Sequence, residues 1–186
     1  MKRECTIRVE SLRKIHLPER APSQEEEALR EEWEDMLWQE GLPENTPVHS
    51  DRGGGGFLSS DLPSVLTAQG IFSAEKDGSF RISYEDTEIT GLEGCMTTFC
   101  LAPTGMLILL RRGGSGTCMV FEEKHRHLCD YGSGAGTPSV TLHTHKLQAD
   151  LKETGGSVSV DYSVEMSGIR TEHNELSIHV TLNPAR

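Results

Sequence analysis

The sequence predicts an all-β, antiparallel domain, either a barrel or a sandwich, and three observations carry that prediction. Short runs in which apolar and polar residues alternate recur from residue 64 almost to the C-terminus. Between them stand turn residues: Lys76-Asp77-Gly78, Pro103-Thr104-Gly105 and Gly113-Gly114-Ser115-Gly116. Aromatic residues make up only 5% of the chain while glycines number 19, a balance that suits many turns rather than packed helices. Of the two architectures a closed barrel leaves no strand edge exposed.

In chain order, Cys5, Ile7 and Val9 alternate with Thr6, Arg8 and Glu10, which gives a half-buried strand over 4–12. Pro18 and Pro22 break that pattern. Ser23 with Glu26 has the spacing of a capping box and starts a helix expected over 24–40, stopped by Gly41 and Pro43. Leu29, Trp33, Met36 and Leu37 form one apolar stripe along it. Residues 42–63, with Gly53–Gly56, have the composition of a linker. Strands are then expected at 64–74, 79–88, 94–102, 105–112, 117–123, 125–131, 139–147, 156–167 and 175–182. Leu147–Glu153 fits a strand or a helical turn equally. The 186 residues make a single domain, with 18–62 inserted between the first two strands.

The net charge is −11, and residues 19–40, with nine acidic side chains against two arginines, supply −7 of it. No cluster of Lys and Arg is present to bind phosphates, so a nucleic-acid surface is not expected. The N-terminus lacks an apolar signal core. The longest strongly apolar run, Met106–Leu110, is far shorter than the roughly 20 residues of a spanning helix. A soluble cytoplasmic protein with no membrane partner is the expectation. The five cysteines, at 5, 95, 100, 118 and 129, include no CxxC pair and are expected as reduced, packed thiols.

The run Ile82-Ser83-Tyr84-Glu85-Asp86-Thr87-Glu88, followed by Gly91 and Gly94, resembles a segment of the YwiB-like family. The resemblance continues through Met119-Val120-Phe121-Glu122-Glu123, His127-Leu128 and Tyr131. It resumes at Leu147, Gly155-Gly156 and Asp161-Tyr162, and covers about 64–182 plus the first strand. That family is a bacterial group of unknown function, and the resemblance implies a calycin (lipocalin-like) antiparallel β-barrel of about eight to ten strands. It brings no catalytic residues. The chain departs from the family in two places. Ser133-Gly134-Ala135-Gly136 stands where a Thr-Pro-Tyr-Gly loop is usual, and the 18–62 insertion, with its acidic amphipathic helix, replaces a short loop.

The candidate chemistry centres on histidine. His125 and His127 are two apart, as are His143 and His145, so each pair shares a strand face. A hairpin symmetric about Ala135 sets His127 opposite His143 and His125 opposite His145, close enough to share zinc or a similar divalent metal. A slip of one residue parts the two pairs. Inward-facing Val140 and Leu142 would turn His143 and His145 to solvent, which makes surface histidines the expectation over a metal patch. The glycine runs lack the Lys-Ser/Thr and helix start of a phosphate loop and are expected as turns and linker. Cys95, Cys100, Cys118 and Cys129 have no base placed to activate them, and Glu85, Asp86 and Glu88 have no partner acid.

No catalytic residue is assigned and no cofactor is expected. Two functions stay open. The first is a non-enzymatic barrel holding a small, partly apolar ligand, lined by Tyr84, Met119, Phe121 and Tyr131. The second is a protein-interaction module in which the Leu29–Trp33–Met36–Leu37 stripe meets a partner or a second copy. Capping of the chain's own barrel by that stripe is the simpler expectation.

Overall fold

A computed structural model describes residues 2–16, 24, 28, 58–86, 94–113, 116–130, 139–166 and 170–184. Ten strands run through them: β1 (Lys2–His16), β2 (Leu58–Ala74), β3 (Phe80–Glu85), β4 (Met96–Leu101), β5 (Leu107–Arg112), β6 (Thr117–Phe121), β7 (Arg126–Asp130), β8 (Ser139–Lys152), β9 (Gly155–Met166) and β10 (Arg170–Leu182). Each expected strand is present. The segment left open, Leu147–Glu153, continues β8 to Lys152, and β1, β2 and β10 reach further than alternation indicated. The expected helix over 24–40, with Leu29, Trp33, Met36 and Leu37, lies outside the described residues apart from positions 24 and 28. Among the described residues no helix is long and apolar enough to cross a membrane.

All strand pairs are antiparallel, in the order β6-β5-β4-β3-β2-β1-β10-β9-β8-β7. The two ends of this sheet, β6 and β7, are joined by the short turn 122–125 and meet to make a nearly closed barrel. Lys124 N donates to Thr144 O at 2.8 Å, and Thr144 N donates to His125 O at 3.1 Å. Beside this seam the Phe121 ring meets Tyr162 edge-on, with centroids 5.0 Å apart.

The period of two sends alternate residues inward. Cys5, Ile7, Phe72, Ile82, Leu107, Phe121, Leu142 and Ile178 are all less than 2% exposed and belong to one contiguous core. Each large apolar side chain so buried contributes about 1.5–3 kcal/mol. Cys5, Cys95 and Cys129 are buried, as expected of small hydrophobes, but Cys100 is half-buried and Cys118 is exposed. The reason is parity. Thr117, Met119 and Phe121 occupy the inward positions of β6, which leaves Cys118 on the outer face.

Gly70 shows how closely three strands pack. A Cβ there would stand 2.3 Å from the Ser83 carbonyl oxygen and 2.5 Å from Ile7 Cδ1. The β8–β9 turn makes a similar demand at Gly156, where φ is +138° and a Cβ would strike the Asp150 carbonyl. Gly70→Ala is expected to cost about 3 kcal/mol, since neither backbone nor core can yield without strain. Gly105→Ala, at φ +87° with open space around it, should cost only about 1–2 kcal/mol. Denaturant midpoints of the two variants against wild type check the order, and equal losses would contradict the packing argument.

Candidate functional site

Two groups of polar side chains stand out, one inside the barrel and one on its wall. The inner group begins with the cross-strand row Tyr84, Thr97, Arg111 and Thr117 on β3 to β6. These occupy the same inward face as Ile82, Phe99, Leu109 and Met119, one step nearer the end at which residues 87–93 join β3 to β4. Tyr84, Thr97, Thr117 and Asp86 are buried, at 3%, 0%, 7% and 4% exposure. Buried polar atoms need partners, and the set supplies them. Thr97 Oγ1 donates to Asp86 Oδ2, and Arg111 Nε donates to Thr97 Oγ1 at 3.4 Å. Asp86 N donates to Cys95 O at 2.8 Å, which fixes the carboxylate's own backbone.

Further round the wall, Arg13 Nη1 lies 3.9 Å from Glu172 Oε1, and Glu172 is only 7% exposed. Arg13 and Arg111 are half-buried, each on an inward row near a strand end. The expected lining residues are thus placed as follows. Tyr84, Met119 and Phe121 all face inward. All three belong to the packed core, and Tyr84 also stands in the polar row. Tyr131 lies outside the described residues.

Burial raises the Tyr84 phenol to about 12, the Asp86 charge adds to the rise, and Arg111 and the Thr97 hydroxyl oppose it. The folded state therefore keeps a proton that an unfolded tyrosine, near about 10, releases first. That contribution is complete below about pH 10 and is lost as pH rises towards about 12, a fall of about 2–3 kcal/mol. Unfolding free energies measured between about pH 9 and about pH 12 should fall more steeply for wild type than for Tyr84→Phe. Parallel curves would contradict it.

The outer group lies on β8, β9 and β10. The alternative of a four-histidine patch across a symmetric hairpin is not formed, because β7 and β8 pair one residue away from that register. Arg126 opposes His143, and His127 opposes Leu142. The hydrophobic set decides this: Cys129 pairs with Val140, and both, with Leu142, are buried. His127 is carried to the inward face, with Nε2 3.3 Å from Glu122 Oε2. His125 sits in the turn before β7, Nδ1 3.7 Å from Glu122 Oε1 and 3.0 Å from the Glu123 carbonyl.

His143 and His145 find other company. A β-bulge in β8 between Thr144 and Lys146 makes His145 an extra residue, and both histidines project outward while Thr144 stays fully buried. On β9 the inward set Val158, Val160 and Val164 leaves Asp161 and Ser163 on the outer face. Ser163 pairs with His143 on one side and His173 on the other. His145 Nε2 and Ser163 Oγ share a 2.6 Å hydrogen bond. The rings of His143 and His145 are 4.4 Å apart, and those of His145 and His173 are 5.5 Å apart. His173 Nε2 lies 3.2 Å from Asp161 Oδ1. His145 is held below the ordinary histidine value, first by desolvation among these rings and then by His143, against the pull of Asp161.

Sequence reasoning missed His173 and Asp161. His173 fell before the expected start of β10, whereas the strand begins at Arg170. Asp161 stood in the family resemblance with no role attached, and the placing of β9 between β8 and β10 is what gives it histidine neighbours. Arg111 and Thr97 were likewise unmarked, since a lone polar residue in an inward series carries no local signal.

A nearly closed, ten-stranded antiparallel barrel with a polar end and a histidine-rich wall is the class these features define. Residues 60–178 match the family described as "Domain of unknown function (DUF1934)", and the chain belongs to that family. Among solved structures, the crystal structure of the ywiB protein from Bacillus subtilis matches with a TM-score of 0.62. That match covers 98% of this chain and 94% of the other at 14% identity, a likeness of fold. No curated protein matched.

Proposed function

We propose that the protein is a non-enzymatic binding barrel of the lipocalin-like kind, holding a small, partly apolar ligand by an acidic group at its polar end. The observation that carries this reading is Arg111, half-buried and tied through Thr97 to a buried Asp86. Its guanidinium offers five donors in a planar fork, and only Nε is engaged with Thr97 in this network. A carboxylate or sulfonate arriving at the barrel end meets the remaining donors edge-on. Behind Arg111 the wall continues as Leu109 and Met119, which suits a ligand with an apolar body. Met119, unbranched and flexible, is the wall residue best able to give way.

The direct test uses anilinonaphthalene sulfonate, an apolar ring system with one acidic group, on the native protein. Saturable fluorescence enhancement is expected, weakened about tenfold or more by Arg111→Met and unchanged by Cys118→Ser. Native circular dichroism and thermal midpoints guard against binding by a loosened core. Absence of saturable binding, or binding indifferent to Arg111→Met, would remove the reading.

A further inference from the structure

We propose that His145, Asp161 and His173 form a site for one divalent transition-metal ion of the zinc class, on the outer face of β8, β9 and β10. One ligand atom from each of the three residues lies within 4.8 Å of the others. Two ligands of a tetrahedral ion, at bond lengths of about 2.0–2.1 Å, stand about 3.3 Å apart. The Asp161–His173 pair already has that spacing, at 3.2 Å. The His145 ligand atom lies within 4.8 Å of both, on an exposed side chain.

The state of Asp161 Oδ1 is the second observation. This atom is shielded from solvent and, among the described residues, accepts no hydrogen bond, although His173 Nε2 is 3.2 Å away. A shielded carboxylate oxygen and an imidazole nitrogen at this spacing, with no hydrogen bond between them, suit two ligands of one ion. Left without a cation, that oxygen costs free energy. An ion there satisfies it.

The surroundings fit the demand. Two imidazoles and one carboxylate form a borderline donor set that suits Zn²⁺ or Co²⁺ and leaves a fourth position open to water or a partner's ligand. Alternation after the buried Leu142 and Thr144 turns His145 to this face, and the bulge leaves it out of the β8–β9 pairing. Ser163, buried between the strands and 2.6 Å from His145 Nε2, fixes that ring from behind. His125 and His127 are excluded by their place on Glu122. This site is independent of the barrel interior, since its residues all face outward.

The test uses the full-length, untagged protein stripped with a chelator and titrated with Zn²⁺ by calorimetry, with Co²⁺ absorption as a second readout. One equivalent should bind, and Co²⁺ should develop visible bands that Zn²⁺ displaces. Ser163→Ala should weaken binding about tenfold, and His173→Ala or Asp161→Asn more than about a hundredfold. His125→Ala and His127→Ala should leave it unchanged. Because Asp161→Asn is isosteric and Asp161 is only half-buried, its circular dichroism and thermal midpoint without metal should match wild type. Three results would each overturn the proposal: no binding by wild type, binding that survives His173→Ala and Asp161→Asn, or binding lost with His127→Ala.

Discussion

The pairing of Cys129 with Val140, and of His127 with Leu142, is the constraint from which the arrangement around the barrel seam follows. Burying Cys129, Val140 and Leu142 together admits one register, because a slip of one residue would exchange the inner and outer faces of either strand. That register carries His127 inward onto Glu122 and leaves His143 outward beside Arg126. It also sets where Thr144 meets the 122–125 turn, and the two backbone hydrogen bonds made there hold the two ends of the sheet together. Hydrophobic burial at the seam thus decides the surroundings of His127 and His143.

The interior divides by the same alternation. From Phe121, Leu107 and Leu101 to Ile82 and Phe72 the inward positions are apolar and close-packed. One step towards the end of β3, the same rows turn to Tyr84, Thr97, Arg111 and Thr117. Buried polar groups of this kind add little to stability, and each is tolerable only while its partners hold. The short Thr97–Asp86 contact, the Asp86 backbone bond to Cys95 and the Arg111 contact keep the set paired. A filled apolar floor thus lies beneath a paired polar row at this end of the barrel.

Much of this fold was legible in the sequence because its signals were local. Alternation at Cys5–Ile7–Val9 and at Val158–Val160–Val164, and glycines at Gly78 and Gly105 with φ of +84° and +87°, specify strands and turns without reference to neighbours. The sites were less legible because they depend on pairing between strands. The symmetric hairpin about Ala135 was one residue in error, since loop symmetry is a weaker determinant than the burial of Leu142. The bulge at His145 has no signature in the residues themselves. Asp161 and His173 became ligand candidates only when β9 was laid between β8 and β10. The insertion at 18–62 had clear helix signals at Ser23 and Glu26, but they fall outside the described residues.

The register of β7 and β8 is the claim on which the arrangement around the barrel seam rests, and nuclear Overhauser contacts between the strands measure it directly. The account predicts cross-strand contacts from His127 to Leu142 and from Cys129 to Val140, with Arg126 opposite His143. Contacts from His127 to His143 would contradict it, restoring the symmetric hairpin and setting those two histidines face to face.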